Sequence, residues 1–144
     1  MPDQNSIRRL TFQNQLDELE KIHLAASEIV EQWNLPAHLG FTLDLVLEEA
    51  FTNIVLYAYN DKDQHEIIIE FENTGYTLLI TLVDDGQPYD PTKKDDPDIT
   101  APISEREVGG LGIFLIRKMM DDVRYERISN KNVLKLTKNY ANEN

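Results

Sequence analysis

Residues 65–83 have the sequence HEIIIEFENTGYTLLITLV. Runs rich in β-branched, aromatic and other apolar residues lie on both sides of Asn73-Thr74-Gly75, and this arrangement around a glycine-containing turn is typical of a β-hairpin. The stretch therefore predicts two antiparallel strands, at 65–72 and 76–83. A second hairpin is predicted to close the chain, with its strands joined around Ser129-Asn130-Lys131-Asn132.

The remaining elements are predicted by the spacing of apolar residues. Residues 6–12 form a short, mostly polar strand, which favours an edge position. Helical spacing extends from 14 to 33, again from about 36 to 59, and over 109–121. Because the strands are grouped in hairpins, we predict an α+β fold: a two-layer α/β sandwich with helices on one face of a mixed, mainly antiparallel sheet.

Length and charge narrow the function classes. The 144 residues predict a single domain, 1–144, and 26 acidic against 14 basic residues give a net charge of −12. Direct nucleic-acid binding is disfavoured, because phosphate-backbone contacts need clustered Lys and Arg. The absence of cysteine excludes disulfides and thiol catalysis. No apolar run is long enough for a signal peptide or a bilayer span, so a cytoplasmic protein without membrane contact is expected.

The second helix carries the first candidate site. With about 100° between successive residues, Glu49 and Asn53 fall together on one shoulder of the buried stripe, and Glu48 points away to solvent. That stripe is predicted to comprise Val46, Ala50, Ile54 and Tyr57. A carboxylate and an amide placed in this way can hold a cation or position a proton acceptor. The alternative is a solvated helix rim.

Two further segments are candidate ligand sites. Asp84-Asp85-Gly86 ends an apolar strand, where a carboxylate can accept a hydrogen bond from a ligand amino group and glycine permits close backbone approach. The same residues are also a common turn composition. Gly109-Gly110-Leu111-Gly112 begins a helix and can offer backbone N–H groups to an anion, or serve as a hinge. The long irregular stretch between these segments is typical of a lid or binding loop.

Together, three segments resemble a known superfamily: EAFTNIVLYAY at 49–59, DDGQPYDP at 84–91 and GGLGIFLIRKMMD at 109–121. They are similar to the N box and the two glycine boxes of the ATP-binding domain shared by gyrase, heat-shock chaperones, histidine kinases and mismatch-repair proteins. Within that superfamily the chain most resembles the anti-sigma-factor serine kinases. The resemblance spans nearly the whole chain, and the motifs occur in the family's order and spacing.

The resemblance implies a site for ATP and Mg²⁺. Asp84 would accept a hydrogen bond from the adenine amino group, with Gly86 packed close to the ring. Asn53 would ligate the Mg²⁺, and Glu49 would be the general base that takes the proton from a protein serine. A lid at about 92–108 would cover the phosphates. The implied phosphate-binding residues are Gly109, Gly110, Leu111 and Gly112.

The resemblance also implies a regulatory role. The expected function is that of an anti-sigma factor, a serine/threonine protein kinase that binds a sigma factor or other regulator and phosphorylates a STAS-domain anti-anti-sigma protein. The family precedent is a homodimer. The alternative is a nucleotide-dependent partner-switch module with little or no kinase activity.

Three features depart from the family pattern. Pro88 stands where the superfamily has the second glycine of its first glycine box, and Lys131-Asn132 stand where the last hairpin often has Gly-Thr. The nucleotide contact of that Thr is therefore not assigned to this chain. The predicted lid also carries few cations, namely Lys93, Lys94 and Arg106.

Overall fold

The computed structural model describes residues 6–93 and 110–140. The strands are β1 (Ser6–Gln13), β2 (Glu66–Asn73), β3 (Thr77–Asp84), β4 (Asp122–Ile128) and β5 (Lys131–Asn139). The α-helices are α1 (Leu19–Gln32), α2 (His38–Tyr57) and α3 (Gly110–Met119). Single 3₁₀ turns precede α1 at Leu16–Glu18 and follow β3 at Pro91–Lys93.

The five strands form one sheet in the order β1-β2-β3-β5-β4, and all four pairings are antiparallel. The predicted α+β class with a mainly antiparallel sheet is therefore confirmed, as is the edge position of β1. The last strand, β5, lies beside β3 and separates it from β4. This insertion brings the start of β5 next to the end of β3.

The helices pack on one face of the sheet. Burial alternates strictly along β2 and β3, as expected for strands with a single covered face. The covered side chains, such as Ile69, Leu82 and Leu134, are paired across the strands and share one apolar cluster with all three helices. Helix α2 packs against both α1 and α3. Of the predicted buried stripe, Val46, Ala50 and Ile54 are buried, but Tyr57 is only partly buried. The central place of α2 explains why Leu47 and Phe51 are buried as well.

Two of the differences between predicted and observed boundaries change which residues pair. Asn14 was expected in the first helix, but its backbone N–H donates to the His65 carbonyl (3.0 Å), and its side chain accepts from the His65 N–H (2.9 Å). Asn14 thus extends the β1–β2 edge. In the last hairpin the turn is confined to Ser129 and Asn130, which have φ values of 51° and 63°. A two-residue turn of this hand matches the strand twist, so pairing continues to Lys131 and Asn132.

Within the described ranges, none of the helices combines the length and apolarity needed to cross a bilayer. Most of the predicted lid, residues 94–108, lies outside the described part of the chain, together with Lys94 and Arg106.

Candidate nucleotide-binding site

The three predicted segments converge on one pocket between α2, α3 and the sheet. Its apolar walls are formed by Ala50, Ile54, Ile113, Ile116 and Leu134. Three buried polar side chains, Asn53, Asp84 and Asn132, also line it. A mainly apolar pocket with a few buried polar groups is the usual form of a small-molecule site.

Asn53 and Glu49 lie one helical turn apart on α2, as the spacing predicts. Asn53 is only 4% exposed, which does not fit a solvated rim, and within the described residues its Oδ1 has no hydrogen-bond partner. A buried amide oxygen without a donor is costly unless a ligand satisfies it. Glu49 is partly buried, and burial, with a smaller contribution from the exposed Glu48, raises the pKa of its carboxyl group.

The first turn of α3 is packed against these two side chains at Gly112. A Cβ atom at this position would lie 2.5 Å from Glu49 Oε2 and 3.4 Å from Asn53 Nδ2. A larger residue here would have to displace the Glu49 carboxylate, so glycine leaves room for it. Because the first N–H groups of a helix have no intrahelical acceptor, the start of α3 places anion-binding donors beside Glu49 and Asn53.

Asp84 lies at the end of β3 and is 4% exposed. Its Oδ1 accepts hydrogen bonds from the Gly86 N–H (2.9 Å) and from Asn132 Nδ2 (2.8 Å). Within the described residues, Oδ2 is therefore the oxygen left for a ligand donor. Burial raises the pKa of this carboxyl group, and the two hydrogen bonds oppose that effect.

Gly86 is held against the C-terminal end of α2. A side chain here would collide with the Ala58 carbonyl, and the adjacent Gln87 N–H donates to that carbonyl at 2.8 Å. Gly86 therefore has no room for a side chain, because its backbone packs against the end of α2 at Ala58. Its predicted contact with a ligand ring stays a prediction.

The residue that sequence reasoning missed is Asn132. It was assigned to a turn, but it lies in β5 as the direct cross-strand partner of Asp84. The departure from Gly-Thr at 131–132 was the available signal. The sequence alone does not give the β3–β5 register, so it could not predict that Asn132 pairs with Asp84.

The structure describes the predicted phosphate-binding segment only in part. Gly110 and Leu111 are the first two residues of α3, and Gly109 lies outside the described residues. The Arg117 guanidinium of α3 donates to the carbonyl of Thr92, the first residue of the predicted lid. This contact joins Thr92 to the helix that borders the pocket.

Comparison with known proteins assigns the fold to a family. Residues 12–138 match the family described as histidine kinase-like ATPase domain. The chain is 32% identical over 113 residues to serine/threonine-protein kinase BtrW of Bordetella bronchiseptica, covering 78% of each chain. It is 29% identical over 116 residues to serine-protein kinase RsbW of Bacillus velezensis, covering 74% of this chain and 71% of that one. RsbW of Oceanobacillus iheyensis is 36% identical over 88 residues, covering 57% and 54%.

Proposed function

Since the chain belongs to the histidine kinase-like ATPase domain family, beside relatives named serine-protein kinases, we propose that it is an anti-sigma-factor protein kinase that transfers the γ-phosphoryl group of ATP to a protein serine or threonine. The observation that carries the proposal is the meeting of three features where α2 and α3 are in contact, beside the pocket. These are the partly buried Glu49, the unsatisfied Oδ1 of Asn53 and the N-terminal turn of α3. A base, a cation ligand and an anion-binding helix end are what phosphoryl transfer requires.

The pocket suits an adenine ring. Apolar side chains from α2, α3 and β5 would cover the faces of the ring, and Asp84 Oδ2 would accept a hydrogen bond from its exocyclic amino group. Such an acceptor must be ionised. The hydrogen bonds from Gly86 and Asn132 favour that state against the effect of burial.

The residues present also fit a magnesium ion. Asn53 supplies a hard oxygen that is buried, and within the described residues it has no hydrogen-bond partner. When bound, the ion would neutralise negative charge on the phosphates. This matters because a chain of net charge −12 otherwise repels a polyanion. Asn53 would hold the ion, and the first turn of α3 would contact the phosphates.

Glu49 is the proposed general base. Its carboxylate would take the proton of the serine hydroxyl as that oxygen attacks the γ-phosphorus and the bond to the β,γ-bridging oxygen breaks, giving ADP and a phosphoserine. Burial raises the pKa of Glu49, and a raised pKa makes a carboxylate a better base near neutral pH.

The proposed substrate is a STAS-domain anti-anti-sigma protein, and the proposed sequestered partner is a sigma factor or a similar regulator. A phosphate on the STAS serine adds about −1.5 to −2 charge at the docking surface, which would expel it from an acidic kinase. Phosphorylation would thus switch the kinase from one partner to the other. We propose that this partner switch uses ATP and Mg²⁺ and that the kinase is a homodimer.

The test is transfer of labelled phosphate from [γ-³²P]ATP to a purified STAS-domain protein from the same genome. The wild type should label one serine, and Glu49→Gln should lower the rate at least about a hundredfold with ATP affinity retained. Glu48→Gln, the neighbouring change on the exposed side of α2, is the matched control and should still transfer. Binding of ATP without transfer by the wild type would overturn the kinase assignment in favour of a nucleotide-dependent binding module.

A further inference from the structure

Asn132 is the centre of a buried hydrogen-bond network at the pocket. Its Nδ2 donates to Asp84 Oδ1 and to the Gln87 carbonyl, both at 2.8 Å. Its Oδ1 accepts from the Tyr89 N–H (3.3 Å), the Tyr125 hydroxyl (2.5 Å) and Arg127 Nη1 (3.1 Å). With 4% exposure, the side chain is satisfied entirely by protein groups.

These contacts fix the orientation of the amide. Reversing it would aim its N–H bonds at the Tyr89 N–H and the Arg127 guanidinium, and its oxygen at a carboxylate and a carbonyl. Four of the five contacts would become repulsive, and only the Tyr125 hydroxyl could accept instead. The backbone holds the amide in place as well, because Asn132 and Asp84 are cross-strand partners. Asn132 therefore presents a donor to Asp84 in a fixed direction.

The network also fixes the loop that carries Asp84. Arg127 Nη1, besides contacting Asn132, donates to the Gly86 carbonyl at 2.8 Å. The Gln87 carbonyl and the Tyr89 N–H lie on the same loop and bind the same amide. Asn132 thus binds two backbone groups of the loop and one carboxylate oxygen, and Arg127 adds a third backbone group.

We propose that Asn132 is a positioning and specificity-determining residue. By occupying Asp84 Oδ1, it keeps Asp84 a hydrogen-bond acceptor whose Oδ2 faces the ligand. The site therefore selects a purine with a 6-amino group over a purine with a 6-oxo group. This inference rests on the proposed nucleotide site. A 6-oxo purine would present its own acceptor to Asp84, and two facing acceptors repel.

The charges around Asp84 are consistent with this role. Burial raises the pKa of Asp84, and the hydrogen bond from Asn132 is the largest opposing effect. Asp85, which is ion-paired with His65, raises this pKa and Arg127 lowers it; the Tyr59 phenol also faces the carboxyl group. Without Asn132, Asp84 would be protonated more readily and could then donate to a 6-oxo group.

The experiment compares wild type with Asn132→Ala and Asn132→Thr. Asn139→Ala, at the exposed end of the same strand, is the matched control. Two quantities are measured: the pKa of the Asp84 carboxyl group by ¹³C NMR in the nucleotide-free protein, and the ratio of the dissociation constants for ITP and ATP by calorimetry. In Asn132→Ala the pKa should rise and the preference for ATP should fall roughly tenfold. Asn132→Thr, which keeps one donor, should retain part of both, and Asn139→Ala should change neither.

Equal weakening of both nucleotides with an unchanged Asp84 pKa would overturn the proposal and leave Asn132 a purely structural residue. If the alanine variant does not fold, the threonine variant decides by the same two readings. Failure of the wild type to bind either nucleotide would overturn the proposed function and the selectivity with it. The Asp84 titration would still show separately whether Asn132 controls that carboxyl group.

Discussion

Glu48 and Glu49 are consecutive in the chain, yet the helix gives them opposite environments. Glu48 is exposed, whereas Glu49 lies at the edge of the buried face beside α3. Burial first, and the charge of Glu48 second, raise the pKa of Glu49. The exposed Glu48 carboxylate therefore raises the pKa of Glu49, although Glu48 does not line the pocket.

This arrangement predicts the pH dependence of transfer. Glu49 must be ionised to act as a base, so kcat at saturating ATP should fall as the pH decreases through its raised pKa. Removing the neighbouring negative charge in Glu48→Gln should lower that pKa, and the acid limb should move slightly to lower pH. The measurement is a kcat profile against pH with ATP affinity followed in parallel. An unchanged limb, or one moved to higher pH, would contradict the assignment.

Buried polar residues are concentrated where function is proposed. Of the five buried polar or charged residues in the described chain, Thr42, Asn53, Asn73, Asp84 and Asn132, three line the same pocket. Asp84 and Asn132 satisfy each other, but Asn53 Oδ1 finds no partner within the described residues. The unsatisfied oxygen marks the point at which a ligand or cation would complete the site.

The contact between α2 and α3 depends on one missing side chain. At Gly112 the helices approach so closely that the carboxylate of Glu49 occupies the space of a Cβ atom. The glycine-rich start of α3 therefore has a second role besides exposing N–H groups, since it leaves room for the proposed base. Sequence reasoning considered phosphate binding and a hinge, and this packing requirement is an additional finding.

Substituting one glycine in α2 and one in α3 distinguishes the space left for the Glu49 carboxylate from the effect of glycine on helix propensity. Gly112→Ala should displace the Glu49 carboxylate, which is the flexible end of a side chain, and lower kcat by roughly ten- to a hundredfold with little change in melting temperature. Gly40→Ala is the control, because it is also the third residue of its helix and a Cβ there has nothing within 4 Å. That variant should keep full activity and gain about 0.5–1 kcal/mol of stability. Full activity in Gly112→Ala would show that the close approach is not needed.

Local patterns were sufficient to predict most of the fold. The strand-forming runs on each side of Asn73-Thr74-Gly75 define β2 and β3, and the 3.6-residue spacing in α2 places Glu49 and Asn53 on one shoulder. Asn34, at φ 52°, ends α1 within the predicted break. Each of these features depends on neighbours a few residues away, which the sequence displays directly.

Features that depend on distant residues could not be predicted in this way. The position of β5 between β3 and β4 is set by packing of the whole sheet, and it determines that Asn132 meets Asp84, 48 residues earlier. The turn at Ser129 and Asn130 is shorter than its composition suggests, because both residues adopt positive φ. The β3–β5 pairing accounts for the missed site residue, and the tight β4–β5 turn accounts for the boundary difference in the last hairpin.

At the scale of the whole molecule, we propose that α2, α3 and the ends of β3 and β5 form one site for ATP with Mg²⁺. Calorimetric titration of ATP into wild type and Asn53→Ala, each with Mg²⁺ and with EDTA, tests it most directly. We predict that EDTA weakens binding to the wild type tenfold to a hundredfold, about 1.5–3 kcal/mol. Asn53→Ala should bind ATP as the wild type does in EDTA, with no further loss when Mg²⁺ is removed. Undiminished, fully Mg²⁺-dependent binding by Asn53→Ala, or no binding of ATP by the wild type, would contradict the account.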